Sequence, residues 1–96
     1  MDIEDRFEKI SANSHEYLRF ELVENKRSLR RDMHAFLLLE ELVPGEGRGI
    51  VAAAEHDQIW LDIDLDGLAT VITDDQILEL IRCGVFIDEG SLSMFR

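Results

Sequence analysis

The stretch Thr73-Asp74-Asp75-Gln76-Ile77-Leu78-Glu79-Leu80-Ile81-Arg82-Cys83-Gly84-Val85-Phe86-Ile87-Asp88-Glu89-Gly90-Ser91-Leu92-Ser93-Met94-Phe95 decides the fold. Thr73 and Gln76 stand at capping-box spacing, where the threonine hydroxyl accepts a backbone N–H of the first turn and the glutamine reaches back. A helix therefore starts at Asp74. Ile77, Leu78 and Ile81 give it a buried face, and Gly84 after Cys83 supplies its stop. Val85–Ile87 and Leu92–Phe95 then read as short strands around the turn Asp88-Glu89-Gly90-Ser91. A helix feeding directly into an antiparallel hairpin points to α+β.

Working upstream, Leu65–Val71 reads as a short helix. Ile50–Ala54 and Ile59–Ile63 read as two strands joined by the polar turn Glu55-His56-Asp57-Gln58. In the second strand Ile59, Leu61, Ile63 and Leu65 point one way, and Trp60, Asp62, Asp64 and Asp66 the other. Ser28 is placed to cap a helix over Leu29–Val43, ended by Pro44-Gly45. On its wheel Leu29, Met33, Phe36, Leu37, Leu39 and Val43 share an apolar arc opposite Arg30, His34 and Glu41, while Leu38 falls on the far side. Gly45, Gly47 and Gly49 make a mobile connection. Nearer the start, Leu18, Phe20 and Leu22 alternate with Arg19 and Glu21, the period of a half-buried strand over Glu16–Val23. Ile3, Phe7 and Ile10 mark a short helix over Asp2–Ser11, broken by Ser11-Ala12-Asn13-Ser14. The expectation is one small α+β domain spanning residues 1–96, an antiparallel sheet of hairpins packed against three to four helices. Residues 1–15 form a loosely attached N-terminal helix.

The 96 residues are 46% hydrophobic, enough for about 65% of the extended chain's surface to be buried. The longest clear apolar run, Ala35-Phe36-Leu37-Leu38-Leu39, is far too short to cross a bilayer. The acidic start Met1-Asp2-Ile3-Glu4-Asp5 does not suit a signal peptide, and the single cysteine, Cys83, cannot form an internal disulfide. Both features suit a reducing cytoplasm.

Charge is the strongest compositional signal. The net charge is −11, from twenty-one acids and ten bases. Residues 1–31 are balanced, so residues 32–96 carry the whole excess, with only Arg48, Arg82 and Arg96 as bases. Such a surface repels nucleic-acid phosphates and anionic membranes and attracts cationic partners. A solubilising role accounts for the same charge.

Three stretches carry a family resemblance: Ala35-Phe36-Leu37-Leu38-Leu39-Glu40-Glu41-Leu42-Val43-Pro44-Gly45, Ala53-Ala54-Glu55-His56-Asp57-Gln58-Ile59-Trp60-Leu61-Asp62-Ile63-Asp64, and Asp74-Asp75-Gln76-Ile77-Leu78-Glu79-Leu80-Ile81-Arg82-Cys83-Gly84-Val85. They resemble small uncharacterised acidic proteins encoded by bacteriophages and prophages. The resemblance implies a bacterial host cytoplasm and action by occupying a host protein, including defence nucleases. It implies no catalytic residues.

Asp62-Ile63-Asp64-Leu65-Asp66-Gly67 matches the first half of a calcium loop, but Thr73 stands where the bidentate glutamate belongs. His15, His34 and His56 lack the spacing of a zinc set, so no metal or cofactor is assigned. His56 reads as a turn histidine and Cys83 as a packed thiol. No catalytic constellation is visible, so the chain reads as a non-enzyme. Lys26, Arg27, Arg30 and Arg31 form the one basic concentration, open to three readings: a phosphate grip, a solvated helix start, or a patch for the acidic face of a second copy.

Trp60 is either core or interface. As interface it forms, with Glu55, Asp57, Asp62, Asp64 and Asp66, an acidic face for a basic host protein, an inhibitor-like role without direct nucleic-acid or membrane contact. The alternatives are a calcium-responsive module on Asp62, Asp64 and Asp66, and an assembly protein that homo-oligomerises.

Overall fold

A computed structural model describes residues 2–45, 47 and 49–95. In chain order the elements are α1 (Ile3–Ser14), a 3-10 turn (Phe20–Leu22), α2 (Arg31–Leu42), β1 (Val51–Glu55), β2 (Gln58–Leu61), α3 (Leu65–Val71), α4 (Asp74–Arg82), β3 (Val85–Asp88) and β4 (Ser91–Phe95). The four strands form one antiparallel sheet in the order β1-β2-β4-β3, so the β2-α3-α4-β3 connection steps over the place that β4 fills. This is the α+β architecture that the sequence predicts. The radius of gyration of 12.3 Å is close to the ~12.5 Å typical of a single domain this size. No helix among the described residues is long and apolar enough to cross a membrane.

The C-terminal half follows its local signals closely. Thr73 accepts from the Gln76 N–H while the Gln76 side chain accepts from the Thr73 N–H, completing the capping box. Ile77, Leu80 and Ile81 are buried. Gly84 ends the helix at φ +95°, and a Cβ there would lie 2.6 Å from Leu18 Cδ2. Ile59, Leu61, Val85, Leu92 and Met94 face the helices and share one core with Ile3, Phe7, Ala35, Leu38, Leu39, Leu68 and Ile72.

The N-terminal half departs from its periodicity in four places. Helix α1 runs on through Ser14 and ends on His15 at φ 56°. It is firmly docked: Ile3 and Phe7 are buried, and Arg6 bonds Asp74 Oδ1, the Ala69 carbonyl and the Ile72 carbonyl. The strand expected over Glu16–Val23 does not form. Leu18 turns at φ 63° and donates its N–H to the Ile81 carbonyl, so the chain wraps over the end of α4 rather than pairing with the sheet.

Ser28 is not a helix cap; it accepts from the Arg30 N–H, and α2 begins only at Arg31. Most consequentially, α2 is rotated relative to the expected wheel. His34, Ala35, Leu38 and Leu39 are buried, while Leu29, Met33 and Leu37 are exposed. The reason is polar: His34 Nε2 lies 2.6 Å from Glu79 Oε2 on α4, and His34 Nδ1 accepts from the Arg27 N–H at 3.0 Å. Nδ1 is thus the bare nitrogen and Nε2 carries the proton.

Of the Gly45–Gly49 connection, Glu46 and Arg48 lie outside the described residues, as do Met1 and Arg96. The β1–β2 hairpin turns on His56 and Asp57 alone, and β2 ends at Leu61, two residues earlier than expected.

Glu79→Ala leaves the buried Nε2–H of His34 without an acceptor and should cost about 1–3 kcal/mol. Chemical denaturation should show this as a lowered midpoint with an unchanged slope. Gly84→Ala should also destabilise, because alanine is strained at that φ and meets Leu18.

Candidate functional site

Strand alternation gives the sheet a second face, away from the helices. Gln58 and Trp60 of β2, Ser91, Ser93 and Phe95 of β4, and Phe86 and Asp88 of β3 alternate with the core residues and so point outward. The register places Ala53, Trp60, Ser93 and Phe86 in one row across all four strands. Trp60 is half-buried, which reconciles the two sequence readings: it packs on the sheet yet keeps a free surface. The Phe86 and Phe95 ring centroids are 5.1 Å apart, and Tyr17 meets Phe86 edge-on at 6.3 Å. Burial raises the Tyr17 phenol pKa, with Arg31 acting in the opposite sense.

Polar groups brace this face from below. Gln58 Nε2 donates to Asp88 Oδ2 at 2.8 Å and to Ser93 Oγ at 2.7 Å, and Ser93 Oγ donates to the Ile59 carbonyl. The Ser93 hydroxyl is therefore a cross-strand tie with its proton committed to a carbonyl, not a nucleophile beside a base. At one end an open cleft of about 260 Å³ is lined by Glu55, His56, Asp57, Gln58, Trp60 and Phe95.

Glu55, Asp57 and Trp60 are thus brought together, and Phe95, Phe86 and Gln58 join them. The signal for Phe86 and Phe95 in the sequence was period-2 alternation in β3 and β4, and for Gln58 its place two residues before Trp60 at the start of β2; these become informative only once the strand order is known. Asp62, Asp64 and Asp66 do not extend the row, because the strand stops before them. Asp64 caps α3 by accepting from the Asp66 N–H, and Asp66 lies in the first turn of α3, where a carboxylate suits the helix dipole. Asp62 and Asp64 line a different cleft with Glu40, Val43 and Ile50. Among the described residues no group of three or more His, Cys, Asp or Glu side chains is disposed to hold a metal ion.

The basic cluster is dispersed rather than assembled. Arg31 donates to the carbonyls of Cys83 at 3.0 Å and Phe95 at 2.7 Å, tying α2 to the end of the β3–β4 ladder. Arg27 pairs with Glu41, and Lys26 donates to the Val23 carbonyl while lying over the Phe20 ring. Arg82 pairs with Glu16, and Arg19 with Glu21. No phosphate grip is built from these side chains. His15 ends α1, His34 is interior and His56 sits in the hairpin turn, so the histidines lie in three separate settings.

Cys83 is fully buried, and its thiol pKa is pushed up from 9.0 to about 12, chiefly by desolvation and then by the nearby Glu79 carboxylate. A raised acid pKa makes the folded state hold its proton longer than the unfolded chain, so this stabilisation is complete below pH 9 and is lost as pH rises towards about 12. Alkaline titration of folding should therefore show a steepening loss across that window that Cys83→Ala flattens. A disulfide thiol reagent at neutral pH should label Cys83 only once denaturant unfolds the chain.

The chain matches no protein-family model, no curated protein and no solved structure.

Proposed function

We propose that this chain is a non-enzymatic binding protein whose outer sheet face takes an Arg- or Lys-rich surface of another protein. Trp60, with Phe95 and Phe86 beside it, offers flat aromatic area over which a guanidinium stacks. Glu55 and Asp57 at the rim supply the counter-charge that steers the partner and fixes its register. On the phage-type reading of the sequence, the partner is a basic bacterial protein, such as a nucleic-acid-binding defence enzyme, whose polyanion site the acidic chain occupies.

One observation carries this reading. Arg6, Arg19, Lys26, Arg27, Arg31 and Arg82 are all engaged with carboxylates or carbonyls of the chain itself. The acids of the β1–β2 hairpin stand beside a partly exposed aromatic face with none of those cations among them. Asp62, Asp64 and Asp66 contribute to the long-range field of the −11 charge rather than to the contact.

A dye-labelled arginine-rich peptide tests the proposal by fluorescence anisotropy. Trp60→Ala should weaken binding by about 2 kcal/mol, roughly thirtyfold. Glu55→Gln with Asp57→Asn should weaken it about tenfold at low salt and less at high salt. Asp66→Asn should leave it within about twofold, since this carboxylate belongs to the α3 turn. Equal affinity for the wild type and the Glu55/Asp57 double variant at both salts would refute the reading.

A further inference from the structure

The outward rotation of α2 leaves a second surface without a partner. Leu29 is 89% exposed, and Met33 and Leu37 are each 42% exposed. Met33 and Leu37 lie one turn apart on the same side of α2, with half-buried Phe36 on their flank and Leu29 just ahead of the helix. Isolated apolar residues at a surface are ordinary, but an aligned stripe on one helix is not.

The charges beside this stripe run in a fixed order. Arg30 precedes the helix, and its guanidinium has no partner among the described residues, unlike Lys26, Arg27 and Arg31. Glu40 closes the other end, using one carboxylate oxygen to accept from the Gly45 N–H at 3.1 Å, with no partner for the second among the described residues. Positive, apolar, apolar, negative is a pattern that complements its own reverse.

We propose that α2 docks antiparallel against α2 of a second copy of this chain, about a two-fold axis. With Arg30 set opposite Glu40 of the other copy, Met33 falls opposite Leu37, and the two-fold repeats both pairings. One register thus satisfies the apolar and the ionic halves together. A basic partner would meet Arg30, and an acidic one Glu40, with like charge; a second copy meets neither.

A twelve-residue helix spans only about 18 Å, short of the ~800 Å² per partner of a standard interface. The contact therefore draws on the neighbouring cleft of about 410 Å³, lined by Arg31, Asp32 and Phe36 of α2 and by Val51, Ile59, Met94 and Phe95 of the sheet. The dimer is weak and reversible, since two bodies of charge −11 repel at long range. It goes beyond the proposed binding of a basic protein and shares only the rim residue Phe95 with that surface.

Sedimentation equilibrium of the full chain at about 0.15 M salt, where charges are screened beyond ~8 Å, decides the matter. The weight-average mass should rise with concentration from 11.1 kDa towards twice that value. Met33→Glu with Leu37→Glu should stay at the monomer mass while keeping the wild-type circular dichroism, which separates lost association from lost folding. Arg30→Glu alone should weaken association about tenfold, and Arg30→Glu combined with Glu40→Arg should restore it. A wild type that stays monomeric at millimolar concentration overturns the proposal, as does a dimer that survives the Met33/Leu37 double variant. Single-charge variants that weaken association without rescue by the swap overturn the antiparallel register.

Discussion

The bond between His34 and Glu79 fixes how α2 sits, and much else follows from it. Helix α2 is apolar around most of its circumference, with Ala35, Leu38 and Leu39 on one side and Met33, Phe36 and Leu37 towards the other. Hydrophobic burial alone discriminates poorly between two rotations of such a helix, since either one buries several large side chains. A buried imidazole does discriminate. Each of its nitrogens demands a partner, and one orientation supplies both, from Glu79 and from the Arg27 N–H. The same rotation carries Arg31 to the Cys83 and Phe95 carbonyls and turns Leu29, Met33 and Leu37 to solvent.

Arginine does in this small domain what a larger one does with more core. Arg6 joins α1 to the α3–α4 corner, Arg31 joins α2 to the sheet, and Arg82 joins α4 to the segment ahead of α2 through Glu16 and the Leu22 carbonyl. Each planar guanidinium satisfies carbonyls or carboxylates from separate parts of the chain. Committing these cations inward has an electrostatic consequence. The excess of acids over bases is expressed at the surface, and most clearly where the β1–β2 hairpin has no cation of its own.

Where local signals and tertiary demands agreed, the sequence could be read directly. Thr73 and Gln76 announced α4, Gly84 its end, and Gly90 at φ +77° with Glu89 at φ 51° the final hairpin turn. The α+β class and the inward set Ile59 and Leu61 followed from the same kind of reasoning. Two of the misreadings share one cause, a tertiary bond that outweighed periodicity. Leu18, Phe20 and Leu22 alternate as in a strand, yet no sheet edge is reached, and the Leu18 N–H finds the Ile81 carbonyl instead. The wheel of α2 was ranked by hydrophobicity, which gives a histidine no credit for a carboxylate forty-five residues away. Of the candidate acidic face, Glu55, Asp57 and Trp60 were legible because they share a hairpin. Asp62, Asp64 and Asp66 were misplaced because Asp64 prefers an N-cap to a further strand position.

The two proposed surfaces use opposite faces of the sheet and meet at its rim, where Phe95 borders both. Helix α2 flanks the face of the sheet that carries Ile59 and Met94, and Met33 and Leu37 are its exposed apolar residues. Trp60 and Phe86 belong to the other face, so in the proposed α2 pairing each copy would keep an aromatic face of its own. A basic partner with two matching patches, or two copies of one partner held together, could then engage both faces at once. The second contact would be intramolecular and governed by effective concentration rather than by any added interface. Modest single-site affinity, which is what a small rim of two carboxylates and an indole can supply, would then suffice for tight occupancy of a repeated target. It would be ineffective against an isolated one.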